Sequence, residues 1–210
     1  MANTITSARF VLLFFLVAMA YLAPPYWQLV NPVLLIVIIA LDGVDGYVAR
    51  QRGETSLFGS VYDIAVDRVV ENVLWIVLAD LDLVPVWVAI LFITRGVLVD
   101  TIRGHGAAQG KGAFEMMRTG WGRFLVAGRF MRGFYGTIKA VTFAWILLFQ
   151  PVPELAPALW VQWAATIEPI TRVLIYTAVA TCLLRGIPVV LEFYFSEVPL
   201  RRTGTLPGSR

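Results

Sequence analysis

Cysteine, histidine and charged side chains are all scarce in this sequence. Its 210 residues include one cysteine and one histidine, and charged residues make up 15%. Cys182 alone cannot form an internal disulfide, and His105 alone argues against a histidine-based metal site. Any chemistry that needs a metal must therefore draw on carboxylates.

Apolar residues are the abundant class, at 59% of the chain, against roughly 45–50% in soluble domains. A single soluble core could not bury that much apolar surface, so we expect the bilayer to be the solvent. Six stretches predict transmembrane helices once their polar ends are included: Phe10–Ala23, Pro32–Leu41, Val69–Ala79, Val84–Thr94, Ala140–Phe149 and Val173–Leu184. The sequence thus predicts an all-α integral membrane protein with one six-helix domain over residues 1–210.

Basic residues predict the orientation of this domain. The loops around Pro24–Asn31, Asp80–Leu83 and Gln150–Pro169 contain no lysine or arginine, whereas the opposite loops and both termini carry most of them. Lys and Arg concentrate on the cytoplasmic side of membrane proteins, so we expect both termini in the cytoplasm. We expect the membrane to be a bacterial inner membrane.

The largest basic segment is a predicted cytoplasmic loop at about 103–132. It is either an interfacial helix on anionic lipid or an ordinary basic loop. Gly104, Gly106, Gly110 and Gly112 make its first part a poor helix. The net charge of +3 is interpreted as topology and lipid contact, not as nucleic-acid binding.

Four aspartates mark the ends of the second and third predicted spans. Asp42 and Asp45 are three residues apart, and Asp63 and Asp67 are four apart, so each pair shares one face of its helix. A polar turn containing Gly53 separates the two helices. We therefore expect four carboxylates to converge where the two helices meet, beside a polar cavity open to the cytoplasm.

Ionised carboxylates near hydrocarbon are costly and usually functional. Four together would repel one another unless cations neutralise them. Oxygen-only ligands favour hard ions such as magnesium, manganese or calcium. The alternative is a structural network in which Arg50 and Arg68 balance the aspartates. Gly43, Gly46 and Gly59 lie beside them and would allow close helix packing or the approach of a nucleotide.

These residues resemble the signature of the CDP-alcohol phosphotransferase family, also called the CDP-alcohol phosphatidyltransferase family. The signature is D-x-x-D-G-x-x-A-R, eight residues, then G-x-x-x-D-x-x-x-D. Its fixed positions are all matched here, by Asp42, Asp45, Gly46, Ala49, Arg50, Gly59, Asp63 and Asp67. The start of the chain is similar to the family's N-x-x-T-x-x-R, with Asn3, Thr6 and Arg9.

The resemblance implies a six-helix membrane enzyme, usually homodimeric, that releases CMP. It implies two Mg²⁺ or Mn²⁺ ions on Asp42, Asp45 and Asp63, with Asp67 completing the cluster and acting as general base. The donor, CDP-diacylglycerol, would bind along Gly46, Ala49, Arg50, Gly59 and Thr6.

Further residues are similar to the phosphatidylglycerophosphate synthase branch, which often has T-R-E followed by an arginine, and later G-K-x-K-T. Here the matching residues are Thr94, Arg95, Arg103, Gly136 and Lys139, while Gly96, Thr137 and Ala140 depart from the pattern.

Arg95, Arg103 and Lys139 are therefore candidate ligands for a phosphate on the acceptor alcohol. Arg95 could instead pair with a site aspartate, Asp100 or Glu71, and the other two could extend to the interface.

The predicted function is transfer of a phosphatidyl group from CDP-diacylglycerol to a small polar alcohol. Glycerol 3-phosphate is favoured, inositol phosphate is second, and inositol and serine are further alternatives. Two other classes stay open: a cation transporter that uses the aspartate cluster, and a non-enzymatic membrane scaffold. Metal-dependent release of CMP would separate the enzyme from both.

Overall fold

Six long helices make up most of the computed structural model, which describes residues 2–52, 57–108 and 120–202. Within that part of the chain the structure is helical and contains no strand. The long helices are α1 (Ala2–Leu22), α2 (Asn31–Arg52), α3 (Leu57–Asp80), α4 (Val86–Ala108), α5 (Arg129–Phe149) and α6 (Pro157–Arg202). Short helical segments lie at Pro25–Gln28, Gly120–Gly122 and Val152–Leu155, and Arg123–Ala127 is π-helical. The predicted all-α class is confirmed.

Each of the six predicted apolar stretches falls on a different long helix. Within the described residues, four segments are long and apolar enough to cross a membrane: Thr4–Leu22, Pro25–Val44, Arg129–Leu155 and Pro157–Phe195. Helices α3 and α4 are also long enough to cross, at 24 and 23 residues, but they carry several charged side chains. Most of those charges belong to the site described below.

Contacts between helices close into a ring. In order around it, α1 packs on α2, α2 on α5, α5 on α6, α6 on α4, α4 on α3, and α3 on α1. One apolar core inside the ring draws buried side chains from all six helices. Trp75 lies fully buried in this core and stacks on Phe92 at 4.3 Å between ring centroids, with Phe143 at 4.6 Å.

The outer surface of the ring is strongly apolar. Val11, Ile36 and Val173 are more than half exposed, together with many other large apolar side chains. Soluble monomers rarely expose apolar surface on this scale. The outward side chains therefore face lipid, and the protein is an integral membrane protein.

Two expectations about helix boundaries are corrected by the structure. The loop expected at about 103–132 is shorter, because α4 continues to Ala108 and helical structure resumes at Gly120; residues 109–119 lie outside the described part. Gly104 and Gly106 do not end α4, since Val99 and Ile102 just before them pack on Val126 and Val189. The apolar contacts outweigh the weak helix propensity of the glycines.

The other correction concerns α6, which begins at Pro157 and runs through Pro169. From the sequence, this stretch is expected to lie within the loop around Gln150–Pro169. Membrane helices tolerate an internal proline where neighbouring groups satisfy the freed backbone.

Candidate active site

An acidic cluster lies where α2 and α3 approach each other. Asp42 comes from α2, and Asp63 and Asp67 come from α3, one turn apart on the same face. One carboxylate oxygen from each of the three lies within 4.8 Å of the others. Three of the four predicted metal ligands thus come together, two by helical spacing and the third by the packing of the helices.

Arg9 of α1 contacts all three of these carboxylates. Its Nη1 lies 2.6 Å from Oδ1 of Asp42 and 3.1 Å from Oδ1 of Asp63, and its Nη2 lies 2.5 Å from Oδ1 of Asp67. The Arg9 side chain is only 3% exposed, whereas the three carboxylates keep more than a third of their surface. The cluster therefore has a buried cation on one side and an open face on the other.

The donor set fits a hard divalent ion. Carboxylate oxygens are the ligands that magnesium and manganese prefer. One guanidinium balances one of the three carboxylates and leaves two negative charges, the charge that one divalent ion would neutralise. Asp42, Asp63 and Asp67 are thus suited to hold such an ion.

The other residues predicted to bind metal or the donor lie on α1, α2 and α3. Asp45, Gly46, Ala49 and Arg50 follow Asp42 along α2, but they lie outside the part of the chain whose side chains are described. Gly59 is half-buried on α3, four residues before Asp63. Thr6 is 2% exposed, three residues before Arg9 on α1, so it shares a helix face with the residue that holds the cluster.

A cavity of about 510 Å³ adjoins the cluster. Asp42, Asp67 and Arg9 line one part of it. The remaining polar lining is mostly cationic: Arg68, Arg95, Arg103, Arg132, Lys139 and Arg185. All three predicted acceptor-site residues are therefore in the same cavity as the acidic cluster.

A chain of ion pairs crosses this cavity and involves Lys139. Its Nζ lies 2.8 Å from Oε1 of Glu71, and Nη1 of Arg68 lies 2.8 Å from Oε2 of the same carboxylate. Nε of Arg68 also lies 2.5 Å from Oδ2 of Asp100. Lys139 is consequently held by a carboxylate and does not extend to the interface.

Arg95 pairs with none of the described carboxylates considered for it: Glu71 and Asp100 pair with other cations, and Arg9 contacts Asp42, Asp63 and Asp67. Among the described residues, Arg95, Arg103 and Arg132 form no ion pair or hydrogen bond. Three guanidinium groups beside one cavity, none in an ion pair with a described carboxylate, make it suitable for an anion.

Tyr135 of α5 lies at the centre of the cationic lining. Lys139 Nζ is 4.2 Å from the centroid of its ring, and the guanidinium carbons of Arg95 and Arg185 are 5.3 Å and 5.4 Å away. Its hydroxyl donates a 3.3 Å hydrogen bond to Oε1 of Glu71. One buried ring thus positions cations from three helices by cation–π contact.

Arg185 of α6 also reaches the π-helical segment. Its Nη1 and Nη2 donate to the carbonyls of Leu125 and Val126, both at 3.2 Å, and the residue is 4% exposed. These carbonyls lie at the C-terminal end of the π-helical segment, where helix carbonyls lack partners within the helix, and Arg185 satisfies them. The contact holds the π-helical segment next to the cavity, which Arg185 lines.

Five residues of the site were not identified as such from the sequence: Arg9, Glu71, Arg132, Tyr135 and Arg185. Arg185 had a usable signal, because an arginine within an apolar span is costly. Arg132, Tyr135 and Lys139 also follow one face of α5 at spacings of three and four residues.

Comparison with known proteins bears on this arrangement. The profile of the CDP-alcohol phosphatidyltransferase family matches residues 1–195. The chain belongs to this family. It is thus a member of a membrane-bound family of transferases, with the acidic cluster within the matched region.

Two characterised relatives in the CDP-alcohol phosphatidyltransferase family share part of the sequence. The CDP-diacylglycerol–glycerol-3-phosphate 3-phosphatidyltransferase of Bacillus subtilis (strain 168) is 32% identical over 115 residues, 48% of this chain and 58% of the relative. The archaetidylinositol phosphate synthase of Aeropyrum pernix is 33% identical over 92 residues, 42% of this chain and 47% of the relative. The alignments thus span about half the length of each relative.

Proposed function

We propose that the protein transfers a phosphatidyl group from CDP-diacylglycerol to a phosphorylated alcohol, with glycerol 3-phosphate as the favoured acceptor and CMP as the other product. The observation that carries the proposal is one cavity lined by two kinds of charge. Its lining includes carboxylates of the acidic cluster, which are suited to divalent ions, and guanidinium groups that form no ion pair with a described carboxylate. A donor pyrophosphate and an acceptor phosphate would each find its partner there.

The acidic part of the cavity would hold the reacting end of the donor. Two Mg²⁺ or Mn²⁺ ions, held by Asp42, Asp45, Asp63 and Asp67, would neutralise the pyrophosphate of CDP-diacylglycerol. Gly46, Ala49, Arg50, Gly59 and Thr6 are proposed to line the nucleotide pocket. Among these assignments, the clustering of Asp42, Asp63 and Asp67 gives support.

Asp67 is proposed as the general base. It lines the cavity, and its side chain is 48% exposed, so an acceptor hydroxyl can reach it. Asp67 takes the proton as the acceptor oxygen bonds to the phosphorus that carries the diacylglycerol. The bond from that phosphorus to the bridging oxygen breaks, and CMP leaves with the electron pair.

The cationic part of the cavity would hold the acceptor phosphate. Arg95 and Arg103 are uncompensated, and Lys139 adds a charge that Glu71 shares. A phosphate dianion needs fixed donors of this kind, which favours glycerol 3-phosphate or inositol phosphate over inositol or serine. The names of both relatives agree with a phosphorylated acceptor.

Assembly and orientation complete the proposal. We expect all six long helices to cross a bacterial inner membrane, with the cavity and both termini on the cytoplasmic side, and two copies to form a homodimer. The concentration of basic residues at the cavity end supports this orientation.

The test is CMP release by purified protein supplied with CDP-diacylglycerol, Mg²⁺ or Mn²⁺, and single acceptors. Glycerol 3-phosphate, inositol phosphate, inositol and serine form the panel. Asp67→Asn should lower the rate by about 10²–10⁴-fold, the usual contribution of a general base. Asp80→Asn is the matched control, since Asp80 is an exposed carboxylate at the other end of α3, bonded to Tyr21.

Equal rates for the two variants would contradict the role of Asp67. Absence of CMP release with every acceptor, from folded and metal-loaded protein, together with cation flux in proteoliposomes, would favour the transporter. Cytidine nucleotide binding without turnover would put the choice of donor and acceptor in doubt.

A further inference from the structure

The guanidinium of Arg9 meets the same three carboxylates that are suited to hold a divalent ion. Its contacts are with Oδ1 of each, at 2.6 Å for Asp42, 3.1 Å for Asp63 and 2.5 Å for Asp67. An oxygen that accepts a hydrogen bond from Arg9 along one direction has less electron density to offer an ion. Arginine and a divalent ion would therefore draw on the same three carboxylates.

We propose that Arg9 is a built-in competitor of the divalent ion and so sets the affinity of the acidic cluster for metal. The inference rests on the metal site of the proposed function. It assigns Arg9 a role toward that site that is separate from contact with either substrate.

Two properties of Arg9 make it an effective competitor. Its planar guanidinium presents several N–H donors in a fixed fork, and here two nitrogens reach carboxylates from two helices. Its side chain is also almost fully buried, so its attraction to the aspartates is screened less by water. The charge of Arg9 cannot be removed by deprotonation, and competition therefore persists at all working pH values.

Arg9 also holds the cluster together. Three carboxylates within 4.8 Å would repel one another without a cation between them. Arg9 draws Asp42 of α2 towards Asp63 and Asp67 of α3, and it belongs to a third helix, α1. Removal of Arg9 should consequently lower the stability of the metal-free protein and, at the same time, raise its affinity for metal.

The experiment measures Mn²⁺ binding by calorimetry on full-length protein in detergent after treatment with a chelator. Arg9→Met should bind Mn²⁺ about tenfold more tightly than the wild type, a change of about 1.4 kcal/mol. Arg9→Lys keeps the charge but offers a single nitrogen, and it should bind Mn²⁺ about threefold more tightly, half the tenfold change on a free-energy scale. It also covers the case in which Arg9→Met fails to fold.

Arg68→Met is the matched control. Arg68 lies in the same cavity, next to Asp67 in sequence, but its ion pairs are with Glu71 and Asp100. Its removal reports the general effect of one lost positive charge. We expect Arg9→Met to gain more Mn²⁺ affinity than Arg68→Met does. In chelator, Arg9→Met should unfold at a lower temperature than Arg68→Met, and Mn²⁺ should raise its unfolding temperature by more.

Equal affinity gains for Arg9→Met and Arg68→Met, or weaker binding by Arg9→Met, would overturn the competitor role. In that case the wild type still binds Mn²⁺, and the proposed metal site stands. Absence of Mn²⁺ binding by the wild type would instead remove the metal site and the inference with it.

Discussion

Gly186 of α6 makes room for Arg95 of α4, and this close approach allows a sharp test of the cationic cavity. A Cβ atom added at Gly186 would lie 2.7 Å from Cγ of Arg95 and 3.0 Å from its Nε. Carbon atoms pack best at about 3.5–4.0 Å. Gly186→Ala therefore lacks about 1 Å of space and must move the Arg95 side chain.

The displaced group is one of the uncompensated cations of the cavity. Overpacking of this kind costs about 1–3 kcal/mol, and a hydrogen bond to a charged group contributes about 1.5–3 kcal/mol. We expect Gly186→Ala to raise KM for glycerol 3-phosphate about tenfold. KM for CDP-diacylglycerol should stay unchanged, because the acidic cluster does not contact Gly186.

The assay is steady-state CMP release with each substrate varied in turn. Gly96→Ala is the matched control, because Gly96 is also helical, follows Arg95 directly and has no atom within 4 Å of an added Cβ. It should leave both KM values unchanged. Arg95→Ala with and without Gly186→Ala completes a double-mutant cycle.

If Arg95 is the group displaced, Gly186→Ala should have almost no further effect once Arg95 is alanine. Additive effects on KM would refute the reasoning, since they would place the effect of Gly186 elsewhere. A rise in the KM of the donor alone would refute the division of the cavity into two parts.

Two further changes probe the groups that hold the cations in place. Glu71→Gln leaves Lys139 and Arg68 without their shared carboxylate. We expect a loss of about 1.5–3 kcal/mol, the contribution of a hydrogen bond to a charged group, seen as a lower unfolding temperature in detergent; an unchanged temperature would contradict the pairing. Tyr135→Leu removes the ring that three cations face, whereas Tyr135→Phe keeps it. The leucine variant should show the larger rise in KM for glycerol 3-phosphate, by about two- to fivefold, and equal effects would show that the hydroxyl, not the ring, is what matters.

Local periodicity predicted the parts of this protein that depend on one helix at a time. Asp63 and Asp67 share a face because they are four residues apart, and the aspartates continue their helices as expected. Six apolar stretches gave six long helices. Such features follow from the helix repeat and the cost of charge near lipid.

Contacts between distant helices could not be predicted in the same way. Arg9 reaches Asp63 and Asp67 across more than fifty residues of sequence, and Arg185 reaches Leu125 and Val126 across about sixty. Nothing in the spacing around Arg9 distinguishes a partner of the cluster from an ordinary basic residue near a membrane face. The choice depends on the order of helices in the ring, which is a tertiary property.

The length of α6 has a consequence for access to the cavity. Its 46 residues correspond to about 69 Å of helix, more than twice the roughly 30 Å of a hydrocarbon core. Arg185 lies at the level of the cavity, and the helix continues from there to Arg202, about 25 Å further. On the proposed function, a water-soluble acceptor that enters the cavity from this end would pass along this extension of α6.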